Sequence, residues 1–275
     1  MTLLLRIILL MLCAGAANAA DRPRVASINT CTDQLLLALA DPEQILGLSP
    51  YSRDAARSWA AEAAKRYPKL SGEAEDVLIL KPDIVVAGRF TKRATRELLK
   101  QKGLRVAEFD VVSSLDDARR QTAMMGELLG QRERAAAENA RLDAAIVRAK
   151  ASVSRRGFRV LALARRGWVS GGDSLTSSLL DAAGLFNAAG ELGRKFGGFV
   201  TLEQIVAGKP DLLLVASDGH FAEDQGQAFL LHPALEKLYP PEKRIVVPER
   251  LTVCGGPMLP DALDRLAAEI TRVSR

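Results

Sequence analysis

Histidine is almost absent from this chain: two residues in 275, His220 and His232. No cluster of carboxylates accompanies either one. Sites for bare divalent transition metals draw on several imidazoles and thiolates, so capture of free zinc or manganese is disfavoured and no metal-ligating set is assigned. His232 precedes Pro233 and reads as a helix start. His220 falls in a loop, where hydrogen bonding is the commoner role. Aromatic residues make up 5% of the chain, too few for a platform on which nucleobases stack. Basic residues exceed acidic ones, 38 to 33, but no basic block occurs, so nucleic acid is not a predicted partner. The nucleophile-elbow pattern Gly-x-Ser-x-Gly and the phosphate-binding P-loop are both missing. Gly171-Gly172, Gly197-Gly198 and Gly255-Gly256 read as turns. No segment has the roughly 20 apolar residues of a transmembrane helix.

The first residues have a separate logic. Arg6, the apolar run 7–12 and the small-residue signal Ala17-Asn18-Ala19 make a secretory leader, removed as residues 1–19 to leave Ala20 at the new N-terminus. Cys13 follows Leu12, where a lipid-anchored leader wants a small residue, so a soluble periplasmic product is predicted. Cleavage removes Arg6 and leaves 37 basic against 33 acidic side chains, a net charge of +4. It also leaves two cysteines, Cys31 and Cys254, in an oxidising compartment.

From residue 24 onward, short apolar runs alternate with helical stretches. Strands are predicted over 25–28, 45–48, 84–87, 105–109, 159–164, 212–216 and 245–247. Helices are predicted over 33–40, 59–66, 91–101, from the Ser114 cap to Gly130, and over 174–183, 202–207 and 259–275. This alternation implies crossover units and mostly parallel sheets flanked by helices, an α/β fold. Residues 131–154 lack glycine and proline and are dense in alanine, arginine and glutamate. Ala135, Leu142, Ile146, Ala149 and Val153 fall near helical spacing. At about 36 Å such a helix is longer than most in globular proteins. Its central position suggests a rigid strut between an N-terminal lobe, 20–130, and a C-terminal lobe, 155–275.

The two halves repeat each other. Residues 75–87 read Glu-Asp-Val-Leu-Ile-Leu-Lys-Pro-Asp-Ile-Val-Val-Ala, and residues 203–216 read Glu-Gln-Ile-Val-Ala-Gly-Lys-Pro-Asp-Leu-Leu-Leu-Val-Ala. Pro82 and Pro210 lie 128 residues apart, and so do Glu75 and Glu203. Each copy reads as a short helix, a Pro-Asp turn and a buried strand. Matched internal spacing on either side of a long helix indicates two lobes of related design.

With these features the chain resembles the periplasmic binding proteins of iron-siderophore, haem and vitamin B12 ABC importers. The resemblance rests on residues 25–29, the paired Lys-Pro-Asp units, the central helix, and residues 174–187 with their Ala-Ala-Gly-Leu-Phe-Asn ending. It covers nearly the whole mature chain. It implies a monomer of two α/β lobes that move little against one another. A metal chelate would sit between the lobes as cargo, with no resident cofactor. One exposed glutamate per lobe, here Glu75 and Glu203, would dock into arginine pockets of a dimeric permease. A pseudo-symmetric protein can offer equivalent carboxylates to a symmetric partner, and arginine would fix the orientation. A bland reading also exists, in which both glutamates simply complement helix dipoles.

In open α/β sheets, ligands bind beyond the carboxyl ends of strands. That rule selects the loops 29–33, 50–53, 88–90, 165–168, 217–220 and 249–254. They carry Asn29, Cys31, Thr32, Tyr51, Arg53, Arg89, Phe90, Arg165, Arg166, Trp168, His220 and Arg250 as candidate ligand contacts. Aromatic faces would cover the apolar body of a chelate, and arginines would pair with peripheral carboxylates or phenolates. Ferric siderophore and cobalamin both fit, and haem of the same fold is the alternative. Cys31 and Cys254 have three readings: a disulfide across the lobes, contact with a metal, or two independent buried thiols. The disulfide ranks first if the Cα atoms come within about 7 Å. An activated Cys31 thiolate at its helix start is the residual enzymatic alternative, but no histidine is placed to serve as its base. The chain is read as a binding protein and not an enzyme. A sensory binding module without a permease is a further rival, against which the matched glutamates weigh.

Overall fold

A computed structural model describes residues 22–152, 157–217 and 225–274. The leader and His220 lie outside these residues. Within the N-terminal half, strand β1 (Val25–Ser27) leads to helix α1 (Thr30–Leu39) and strand β2 (Ile45–Gly47). Helix α2 (Ala61–Ala64) and helix α3 (Ala74–Leu80) precede strand β3 (Ile84–Gly88), helix α4 (Arg93–Gln101) and strand β4 (Arg105–Phe109). Helix α5 (Leu115–Leu129) and the long helix α6 (Arg132–Ser152) follow. The C-terminal half holds strand β5 (Arg159–Ala162), strand β6 (Trp168–Val169), helix α7 (Leu175–Ala182), strand β7 (Phe186–Asn187) and strand β8 (Gly198–Phe199). It closes with helix α8 (Leu202–Gly208), strand β9 (Leu212–Val215), helix α9 (Gln225–Ala228), helix α10 (Pro233–Leu238), strand β10 (Arg244–Val246) and helix α11 (Leu259–Val273).

The strands form two separate four-stranded parallel sheets, ordered β2-β1-β3-β4 and β7-β5-β9-β10. Counting only the strands of each four-stranded sheet, both orders run second, first, third, fourth, so the repeat seen in the sequence extends to the sheet topology. Alternate residues of each strand feed opposite faces. Val25, Ile84 and Val86 join one core cluster, and Ala26, Val85 and Ala87 another. Val160, Leu212 and Ile245 pack on one face of the second sheet, Leu161, Leu213 and Val215 on the other. Burial on both faces explains why these strands read as continuous apolar runs.

The duplicated Lys-Pro-Asp units match in detail. Lys81 and Lys209 end α3 and α8 in the left-handed conformation, with φ of 47° and 43°. Asp83 then accepts the Arg24 backbone N–H at 2.7 Å, and Asp211 accepts that of Arg159 at 2.8 Å. Each aspartate therefore clamps the entry of the neighbouring first strand. Val77 and Ile205, also 128 apart, are both fully buried.

Helix α6 has 21 residues and spans roughly 31 Å. Ala135, near its start, packs in the first core with Leu129 and Met125. Leu142, Ala145 and Ala149 pack in the second core with Leu259, Leu263 and Leu266 of α11. One helix is thus shared between two cores. Its approach to α5 is close at Gly126, where a Cβ would stand 2.4 Å from that of Ala135.

Five elements differ from the sequence reading. The helix expected over 59–66 shrinks to Ala61–Ala64. Side chains hold its flanks: the Gln34 amide donates to Ser58 Oγ and its carbonyl accepts the Ala60 N–H. Helix α1 begins at Thr30, three residues early, because Asn29 supplies a cap. The antiparallel pair β6–β8 and the edge strand β7 were not anticipated; two-residue strands carry no periodic signal.

The free edge of β10 is covered by side chains of α11. Glu269 accepts the Val246 N–H at 3.0 Å, Arg265 donates to the Val246 carbonyl at 2.9 Å, and Arg272 donates to the Arg244 carbonyl. Residues 265, 269 and 272 form one helical row, and it satisfies an edge that would otherwise pair with another chain.

Candidate functional site

The carboxyl ends of the two sheets are brought together by the loops that follow β1, β4 and β10. After β1 the chain turns at Asn29, whose side-chain oxygen accepts the backbone N–H groups of Cys31 at 2.9 Å and Thr32 at 3.4 Å. This cap starts α1 and fixes the position of Cys31. The opposing Cys254 follows β10. A disulfide joins the two cysteines, with Cα atoms 5.2 Å apart. Beside it, a Cβ on Gly255 would collide with the Val112 side chain beyond β4, and one on Gly256 would press on Leu35 of α1. The Trp59 indole N–H donates to Asp261 of α11 at 2.7 Å, and Arg141 of α6 reaches the same carboxylate at 3.3 Å. The seam is therefore tied covalently and by a tryptophan–aspartate–arginine bridge.

Beneath the Asn29 turn lies Asp33, fully buried in the first turn of α1. It accepts the Ser49 N–H at 3.1 Å and the Ser49 hydroxyl. Burial raises its carboxyl from 3.8 to about 7, against the opposing pull of hydrogen bonds from Ser27 and Ser49. The aspartate anchors the 49–51 turn to the 29–33 turn.

Several predicted contacts belong to this scaffold. Thr32 is 1% exposed, and its hydroxyl is engaged by Ser27 Oγ at 2.7 Å and the Asn29 carbonyl at 2.9 Å. It holds the turn and presents nothing to a ligand. Asn29 spends its side-chain oxygen on the cap. The Cys31 sulfur is consumed in the disulfide, which removes both metal contact and a thiolate nucleophile.

Other predicted residues stand at the surface of these loops. Tyr51 and Phe90 are exposed beyond β2 and β3, Phe90 at 82%. Arg53 donates to the Tyr67 carbonyl at 2.6 Å, and Arg89 pairs with Asp110 at 2.9 Å. Beyond β5, Arg165, Arg166 and Trp168 are exposed, with Arg166 in the left-handed conformation at φ 58°. Arg250 is exposed on the turn Glu249–Leu251.

The structure adds two aromatic residues that the sequence reading missed. Trp168 on β6 meets Phe199 on β8 edge-to-face, with centroids 5.1 Å apart and planes at 77°. The ring of Phe196 is exposed too, with the Lys195 ammonium 5.3 Å from its centroid. Gly197 lies against the Trp168 indole, with φ of 107° and a Cβ position only 3.1 Å from the ring. The two glycines take positive φ between Phe196 and Phe199, and the turn brings Phe199 against Trp168. The available signal was a phenylalanine on each side of a Gly-Gly pair. Among the described residues, no group of three or more histidines, cysteines or carboxylates is placed to hold a metal ion.

Glu75 and Glu203 are exposed in the first turns of α3 and α8. The Thr201 hydroxyl, then the residue's own backbone N–H, hold the Glu203 carboxyl below its usual range. Both helices enter a strand at its amino end through the Lys-Pro-Asp turn. Their first turns therefore lie toward the carboxyl side of each sheet, the side of the seam loops.

Comparison with known proteins agrees with this geometry. "Cobalamin-binding protein" of Halobacterium salinarum is 26% identical over 200 residues, covering 70% of this chain and 53% of its own length. The match thus spans about half the length of that curated relative. The apo form of the periplasmic heme-binding protein RhuT from Roseiflexus sp. RS-1 superimposes with a TM-score of 0.74 at 23% identity, over 93% of this chain and 100% of that one. The periplasmic vitamin B12 binding protein BtuF of Vibrio cholerae gives a TM-score of 0.68 at 15% identity, over 92% and 98%. No helix among the described residues is long and apolar enough to cross a membrane. The family described as periplasmic binding protein matches residues 25–240, which is most of the chain and includes both copies of the repeat; this protein is a member of that family and a binding protein rather than an enzyme.

Proposed function

We propose that this protein captures a metal chelate, a ferric siderophore or cobalamin, between its two sheets in the periplasm and delivers it to the permease dimer of an ABC importer. The observation that carries the reading is the seam itself. Loops from the carboxyl ends of both sheets are locked together at Cys31–Cys254, and Tyr51, Phe90, Trp168, Phe196 and Phe199 stand exposed on loops and short strands of the two halves. Exposed rings on both sides of a seam suit a bulky guest with a flat or apolar body. Arg165, Arg166 and Arg250 are the cations for peripheral acidic groups. The leader at residues 1–19 would export the protein, and Glu75 and Glu203 would be the docking handles.

The test is a tryptophan-quenching titration of the purified mature protein with cobalamin, ferric siderophores and haem. Saturable quenching at micromolar concentration or below by a chelate, weakened about tenfold or more in Trp168→Ala, is the expected result. Absence of a response to any chelate would refute the reading. Glu75→Ala combined with Glu203→Ala should abolish uptake in cells and leave chelate affinity unchanged; uptake that survives would remove the docking role. Haem is the second reading. Tyr51, exposed at the carboxyl end of β2, offers a phenolate to an iron, and a charge-transfer absorption band lost in Tyr51→Phe would favour it.

A further inference from the structure

Away from the seam, the outer edge of the second sheet carries a depression of about 550 Å³ between α10, the turn at Tyr239–Pro241, strand β10 and the far half of α11. Its volume falls in the range of small-molecule sites. None of the seam residues lines it. The apolar lining is Leu231, Tyr239, Pro240, Pro241 and Val246. The polar lining is unbalanced: three guanidiniums, those of Arg244, Arg265 and Arg272, face two carboxylates, Glu236 on the exposed rim and Glu269 within.

Glu269 is already committed. Its side chain is 7% exposed, pairs with Arg265 at 3.0 Å and Arg272 at 2.7 Å, and accepts the Val246 N–H. Against the opposing effect of burial, these partners hold its carboxyl below the usual range. The arginines are held in turn by backbone carbonyls: Arg244 Nε by Tyr239, Arg265 Nε by Val246, Arg272 by Pro241 and Arg244. These bonds fix the planes of the guanidiniums without using all their donors. Arg244 Nη2 in particular is buried and has no acceptor, one of three such orphaned side-chain atoms among the described residues. A buried donor without an acceptor is costly, and a pre-oriented guanidinium fork suits a carboxylate or phosphate.

We propose that this depression is a second binding site, for a small organic anion whose carboxylate or phosphate pairs with Arg244 and Arg265 while its apolar body lies on Leu231, Pro240 and Pro241. The site is independent of the chelate cleft and of the docking glutamates. It would let a charged metabolite bind the protein, whether or not the cleft is filled.

Isothermal titration calorimetry on the whole mature protein tests it, with phenyl phosphate, phenylacetate and inorganic phosphate as probes. One of the two organic anions should bind saturably, and which one binds identifies the head group. Inorganic phosphate should bind about tenfold more weakly than the better organic anion, because it leaves the apolar floor uncovered. Arg265→Gln should weaken the organic anion about tenfold. Leu231→Glu places a repelling carboxylate at the floor, leaves the bonds along β10 intact, and should weaken it at least as much. Thermal unfolding of both variants checks that they fold. Failure of both organic anions to bind, binding unchanged in folded Leu231→Glu, or inorganic phosphate binding as tightly as the organic anions would each overturn the assignment.

Discussion

Replacing Asp33 by asparagine should make the protein more stable at alkaline pH, although it removes the only charge in a hydrogen-bonded cluster. In the folded protein the carboxyl is fully buried and titrates at about 7, raised from 3.8 mainly by burial. Between those values the folded state holds a proton that the unfolded chain releases. The contribution of this group to stability is therefore full below about pH 4 and declines as pH rises through about 7, with no further change above. At about 1.4 kcal/mol per pH unit, the loss reaches about 4 kcal/mol as an upper figure. Asparagine keeps an acceptor for the Ser49 N–H and can donate to the Ser49 hydroxyl, so the turn should survive. Urea unfolding of both proteins, with the disulfide intact, should give stabilities within about 1 kcal/mol at pH 4.5. At about pH 8 the variant should lead by roughly 2–4 kcal/mol. Taking the difference between the two proteins cancels all other titrating groups. A difference that stays flat, or that favours the wild type increasingly at high pH, would refute the argument that burial dominates over the serine hydrogen bonds and the helix N-terminus.

Three further outcomes follow from the packing. The Cys31–Cys254 bond closes a separation of 223 residues, so reduction, or replacement of both cysteines by serine, should cost about 3–5 kcal/mol and lower the thermal midpoint by roughly 10 °C, read by circular dichroism with and without dithiothreitol; an unchanged midpoint would mean that the seam is held by packing alone. Lys81→Gly and Lys209→Gly relieve left-handed backbone at φ of 47° and 43°, and each should add about 0.5–1 kcal/mol in urea unfolding; a loss would mean that the lysine stems make contacts worth more than the strain. Gly126→Ala improves helix propensity by about 1 kcal/mol but sets a methyl group 2.4 Å from the Ala135 Cβ, so net destabilisation of about 1–2 kcal/mol is expected, and a stabilised variant would show that α5 and α6 can separate at little cost.

The elements that the sequence revealed are those whose neighbours are local or repeated. Continuous apolar runs marked β3 and β9 because both faces of each strand are covered. The Ser114 cap and Gly130 bounded α5, since capping is a contact between near neighbours. The Lys-Pro-Asp pair disclosed the duplication, because a left-handed helix end followed by proline and an aspartate clamp needs those residue types in that order. Cys31 and Cys254 could be named as partners only conditionally, since pairing depends on a distance of 5.2 Å between residues 223 apart.

What the sequence by itself determined is the α/β alternation, the long central helix and the twofold plan, all of which follow from periodicities read within a few turns of chain. The tertiary structure decided which polar residues face outward and which build the frame. Asn29, Thr32 and Asp33 fall in a stretch that reads from the sequence as a ligand-contacting loop, yet they cap and open α1 and each spends its side chain inside the protein. Phe196 and Phe199 flank a Gly-Gly turn in the sequence, yet both rings stand exposed and Phe199 meets Trp168 edge-to-face. The physical reason is that a polar side chain accepts whichever partner the fold brings within about 3 Å, and an exposed ring gains its neighbours only when distant strands pair.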